Sequence, residues 1–143
     1  MTNAATAKSI ITNIETILTT LGWKLEDLSS LKSDLSSYTS NPGCMLLLTG
    51  GDFEENYNEV PKYNTLDFTI VVVTRYSEPA AARDKAIDCV YNLREGIKPS
   101  TLNVGGLATT KYVFNVDHKP FENEFEDSIN VLRYNFSVMH REI

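Results

Sequence analysis

The sequence predicts an α+β domain in which a four-stranded, mainly antiparallel sheet carries two helices on one face. Three observations lead there. The longest β-branched and aromatic run of the chain, Tyr63 to Tyr76 (YNTLDFTIVVVTRY), lies between Pro61 and Pro79. A second long run, Ile129 to Arg141, has the same character. Two further segments, 6–21 and 79–96, repeat apolar residues at helical spacing. Side chains of a strand alternate between faces, so Leu66, Phe68, Ile70 and Val72 share a greasy face. Asp67, Thr69, Val71, Val73 and Arg75 share a mixed one. A strand of that kind belongs in a sheet covered on one side only.

Taken in order, residues 6–21 form an amphipathic helix through Ile10, Ile11, Ile14, Ile17, Leu18 and Leu21, with Gly22 as its stop. From Trp23 onward, Leu25, Leu28, Leu31 and Leu35 keep a loose helical period, read as one or two short turns. The SYTSNPG stretch, 37–43, ends it with turn chemistry. Cys44 to Thr49 is a short apolar strand stopped by Gly50-Gly51. After the central strand, Ser77-Glu78-Pro79 reads as an N-cap and helix start, followed by a stripe of Ala82, Ala86, Cys89, Val90, Leu93 and Ile97. Arg83, Asp84, Lys85, Asp88 and Arg94 fall mostly on the solvated side. Thr110 to Val116 is a third strand and Ile129 to Arg141 the fourth. Hairpin pairing places the two longest strands side by side, in the order first, second, fourth, third. Both helices then lie on the face of Phe68, Ile70, Tyr134 and Phe136. The opposite face, with Thr69, Val71, Val73, Arg133, Asn135, Ser137 and Met139, is left open as a partner surface.

At 143 residues the chain is one domain, 1–143, large enough for a real core. Its net charge of −6 argues against general nucleic-acid binding, which needs clustered Lys and Arg. Cys44 and Cys89 lack metal-ligand spacing and read as buried thiols in a reducing compartment. Thr12, Asn13 and Glu15 interrupt what would be the apolar region of a signal peptide, and no run is long enough for a membrane span. The expectation is a soluble protein made in the cytoplasm.

No catalytic constellation emerges. His118 and His140 are far apart, with no carboxylate or Cys at ligand spacing. Asp117-His118 resembles an acid–base pair, but adjacent strand residues face opposite ways. Gly105-Gly106 has neither the spacing nor the following Lys-Ser/Thr of a phosphate loop. No cofactor, metal or catalytic residue is therefore expected, and enzyme activity is not. What stands out is a pair of acidic segments, 52–59 and 117–127, each interleaving carboxylates with aromatics and each read as a protruding loop. The first holds Phe53, Glu54, Glu55 and Tyr57; the second holds Phe121, Glu122, Glu124 and Phe125. With Val71, Val73, Arg133 and Asn135 of the open face, these are the expected interface residues, since buried rings anchor interfaces and rim charges orient them.

The pattern resembles the tail terminator (tail completion) proteins of long-tailed bacteriophages. The resemblance lies in the Ile-rich first helix, the short strand ending in TGG, and the acidic link to TLDFTIVVVTRY. It continues through ARDKAIDCVYNLREGI and the closing INVLRYNFSVMHRE. It spans nearly the whole chain as a pattern and least of all Trp23–Asn41. It implies a homo-oligomer, a hexameric ring in the virion tail or neck that caps the tail tube protein and stops its polymerisation. It also implies contact with a neck or head-completion protein, and DNA passing through the lumen without specific binding. A ring needs two different complementary patches per protomer. Three alternatives share parts of the pattern: another neck or tail component such as a head-completion or tube-like protein, an acidic host-directed inhibitor that mimics DNA, and a small ferredoxin-like enzyme.

Overall fold

The first helix is defined by its two ends. The structure, a computed structural model, describes residues 2–27, 38, 41–53, 63–109 and 111–142. α1 (Asn3–Thr20) starts at Thr2, whose hydroxyl accepts from the Ala5 amide at 3.1 Å. It ends in a Schellman turn: Trp23 N–H donates to Leu18 O and Gly22 N–H to Thr19 O, with Gly22 at φ +83°. Thr6, Ile10, Ile14 and Leu18, four residues apart, are its buried stripe. α2 (Pro79–Gly96) spans the residues its periodicity predicts and buries Ala82, Ala86, Cys89, Val90 and Leu93. Its N-cap is Glu78 rather than Ser77, with Pro79 at the first helical position. A one-turn α3 (Pro99–Leu102) and a 3₁₀ turn (Gly105–Leu107) follow.

Six strands form among the described residues where four were expected. They are β1 (Lys24–Leu25), β2 (Gly43–Phe53), β3 (Tyr63–Arg75), β4 (Val113–His118), β5 (Glu122–Glu126) and β6 (Ile129–Arg141). The order β1-β2-β3-β6-β4 contains the predicted sequence of first, second, fourth and third strands. β3 and β6 pair along their whole length at the centre, from Tyr63↔Arg141 to Arg75↔Ile129. β1 pairs parallel with the start of β2, so Leu25 lies in a strand, not a helical turn. The rest of the proposed turns, 28–37, falls outside the described residues.

Two further expectations are corrected. β2 does not stop at Gly50-Gly51; it runs through them to Phe53 with a bulge at Thr49. The glycine at 51 serves close approach, because a Cβ there would lie 2.6 Å from the Thr65 carbonyl oxygen. The segment 117–127 is not a protruding loop: its middle is β5, joined to β6 by a two-residue turn. Asp127 and Ser128 both have positive φ, 51° and 64°, as a type I′ hairpin turn requires.

Both long helices pack on the predicted face. Ile10, Ile14, Leu18, Cys89, Val90 and Leu93 close over Phe68, Ile70, Val72, Leu132, Tyr134 and Phe136. Phe68 stacks on Phe136 with ring centroids 5.4 Å apart. The other face is less open than its composition suggested. Tyr38, fully buried, covers Val73 at one end, beside Met45, Val71, Ile129 and Val131. Elsewhere its polar groups pair with each other: Ser137 Oγ donates to Asp67 Oδ1, and Thr69 Oγ1 donates to Asn135 Oδ1 at 2.6 Å.

Candidate interaction surfaces

The buried titratable groups are tied into the fold. On β4, His118 has Nδ1 2.6 Å from the Tyr134 hydroxyl and Nε2 3.0 Å from the Ile97 carbonyl oxygen. Those partners fit a neutral ring that donates from Nε2 and accepts at Nδ1. Burial holds His118 below the usual histidine pKa, against the opposing pull of the Ile97 bond, and raises Tyr134. Asp117 pairs in register with Ser137 and His118 with Phe136, so the two point to opposite faces as expected. Burial likewise lowers His140 and pushes the Cys44 and Cys89 thiols up to about 12 and about 11. Among the described residues no three His, Cys, Asp or Glu side chains converge as a metal site.

The chemistry left at the surface is that of contact. Along β5, alternation sorts residues that the sequence merely interleaves. Asn123 and Phe125 stand opposite Leu132 and Asn130, on the helix-covered face. Glu122, Glu124 and Glu126 stand opposite Arg133, Val131 and Ile129, on the other. Phe121, 49% exposed, precedes the strand; Phe125 is half-buried within it. The Asn123 and Asn130 side chains exchange amide hydrogen bonds at 3.0 and 2.9 Å, locking β5 to β6. Asn135, an expected interface residue, also commits its amide nitrogen, which donates to the Pro120 carbonyl at 3.0 Å. Val71 is half-buried and Arg133 exposed on that same face.

Between β5 and α2 lies a groove of about 640 Å³. Its helix wall is Arg83, Ile87, Val90, Tyr91 and Arg94, and Phe121 and Asn123 close it from the strand side. Ile87 and Tyr91 are 48% and 58% exposed, although both are large and apolar. These α2 residues are the ones sequence reasoning passed over. The signal was there: Arg83, Ile87, Tyr91 and Arg94 recur at intervals of four, four and three, one flank of a helix.

At the diagonally opposite corner of the sheet, β2 ends in Phe53, which is 70% exposed. It stands opposite Asn64, which in turn pairs with His140, so its ring projects on the helix-covered side. β1 pairs only with Gly43 and Cys44, leaving the outer edge of β2 unpaired beyond them among the described residues, with Leu47 and Leu48 exposed. Glu54, Glu55 and Tyr57 continue from that corner in sequence and fall outside the described residues.

No family model and no curated protein matches the chain. Among solved structures, the fold is similar to a chain from the virion of a native gene transfer agent particle. That likeness has 13% identity, covers 69% of each chain, and has a TM-score of 0.45. A likeness of that size says nothing of function.

Proposed function

We propose that the chain is a structural virion protein: a tail terminator that closes into a ring, of six copies by the resemblance described above. In this reading the ring caps the tail tube, stops its growth and presents a surface to the neck or head-completion protein. One observation carries it beyond the resemblance. Each protomer has two unlike apolar patches, the Ile87–Tyr91–Phe121 groove and the Phe53 corner, at opposite corners of one sheet. Unlike patches on opposite sides favour head-to-tail association, which closes into a ring when the rotation permits. A net charge of −6 per copy suits a wall along which a phosphate backbone slides without being held. The test is a tail preparation made with and without this chain. Six-fold density at the head-proximal end, and overlong tubes in its absence, are expected. Density at the distal end, or none, sinks the reading.

A further inference from the structure

We infer that the acidic turn between β5 and β6 of one copy docks into a cationic pocket at the far end of β6 in the next copy. The inference rests on the ring reading for the head-to-tail arrangement, and on charge complementarity for the contact. The pocket, of about 480 Å³, lies where α3 meets the start of β4 and the end of β6. Asn103 builds its floor: the side-chain nitrogen donates to the Val113 carbonyl at 2.7 Å, and the side-chain oxygen accepts from the Val113 amide at 3.0 Å. Those bonds occupy the Asn103 amide. The polar groups left to a partner are Lys111, Arg141 and Ser100, beside the 39%-exposed ring of Phe114. The Arg141 amide donates to the Tyr112 carbonyl at 2.9 Å, which ties the two cationic segments together. In a chain of net charge −6, no carboxylate lines this pocket, and neither cation forms an ion pair with a described residue.

The complementary piece is the group of Glu124, Glu126 and Asp127, all exposed around the β5–β6 turn and flanked by half-buried Ile129 and Val131. Arg75, opposite Ile129, and Arg133, opposite Glu122, share that face, yet neither forms an ion pair with the three carboxylates. Asp127 and Ser128, both in the left-handed region, keep the turn to two residues, so the carboxylates stand on a narrow tip. Three carboxylates with an aliphatic flank thus meet two cations with an aromatic one. Opposite charges orient the approach, and the apolar flanks shed water.

Distance assigns the turn to another molecule. Both sites sit on one strand: Glu126 stands opposite Ile129 at the start of β6, and Arg141 is the last residue of that strand. Twelve steps separate them, roughly 40 Å at strand rise. β6 pairs with β3 along its whole length, so it cannot bend to bring its own ends together. The same turn on a second copy has no such limit. Because turn and pocket lie at opposite ends, each copy in such a contact keeps one of them to offer onward, as a closing ring requires.

Zero-length coupling tests this in the native chain, because a carbodiimide joins an amine to a carboxylate only where the two touch. At high protein concentration and low salt, peptide mass spectrometry should find Lys111 joined to Glu124, Glu126 or Asp127. In a mixture of isotope-labelled and unlabelled chain, the link should join heavy peptides to light ones. Raising the salt to about 1 M, where screening sets in within about 3 Å, should cut the yield severalfold. Arg141→Glu should do the same at low salt, and Glu126→Lys in the partner should restore the link. Both substitutions alter exposed side chains, and melting curves confirm folding. The absence of a link from Lys111 to these three carboxylates overturns the proposal, as does a yield indifferent to Arg141→Glu or to salt. So does Lys111 linked instead to a carboxylate elsewhere, which gives the pocket to another acidic segment. Coupling that fails in a preparation showing the six-fold ring removes only this contact. Coupling that succeeds where no ring caps the tail removes only the terminator reading.

Discussion

The segments 52–59 and 117–127 are alike in composition, yet the fold treats their rings at Phe53 and Phe125 in opposite ways. In 117–127 the alternation of Phe and Glu is the two-residue period of a strand, and pairing with β6 separates rings from charges. In 52–59 the described residues are Asp52 and Phe53; both pair with β3, and Phe53 is the most exposed of the large apolar side chains described. Similar ingredients thus form a wall of the protomer in one place and leave an exposed ring in the other. Along β5, β6 supplies a partner from Ile129 to Arg133; at the other end of the sheet Phe53 meets Asn64 at the start of β3.

The comparison can be broken or sharpened by substitution. The largest effect sets the scale: Phe136→Ala, which removes a 1%-exposed ring stacked on Phe68, should cost about 3–5 kcal/mol in a denaturant titration. A change within error would mean β6 has been given the wrong face. Next, Phe125→Ser should cost about 1–2 kcal/mol, because its ring is half-buried in a paired strand. Stability equal to that of the native chain would return 117–127 to the status of a loop.

A pH effect follows from His118, which fastens β4 to Tyr134 and to the end of α2. Its folded pKa, like that of His140, lies below the unfolded value of about 6.5, so the unfolded chain binds protons more readily. The stabilisation is complete above that value and is lost as pH falls from it through the depressed folded pKa. The melting midpoint should drop on acidification across this window, and less steeply in His118→Gln. An equal drop in the variant would remove His118 from the account. The smallest effect is the other half of the comparison. Phe53→Ser should leave stability within about 0.5 kcal/mol of the native chain while disabling assembly. If it destabilises instead, the corner belongs to the core.

Much of the architecture was legible because periodicity reports burial. The faces of Tyr63–Arg75 and Ile129–Arg141, the stripes of both long helices and the strand order all follow from alternation and hairpin logic. The misses have separate physical causes. The β5–β6 turn lacks the Asn-Gly or Asp-Gly pair that usually marks a type I′ turn; Asp127-Ser128 takes its place, so FENEFE reads as loop. Gly50-Gly51 reads as a stop, whereas the backbone of β3 demands glycine at position 51 for closeness. The groove was invisible for another reason. A helix flank bearing two arginines looks solvated until a strand is set beside it, and the register of that strand is a tertiary fact.

The bulge at Thr49 has a consequence for how β2 tolerates change. It takes up one surplus residue, so that Leu48 still meets Phe68 and Phe53 still meets Asn64. Deleting Thr49 would iron the strand flat and leave both partnerships standing. An added residue would have no such slack to consume and would turn Phe53 to the opposite face. The strand is thus buffered against loss and exposed to gain, and a lineage of such chains should shorten here more readily than it lengthens.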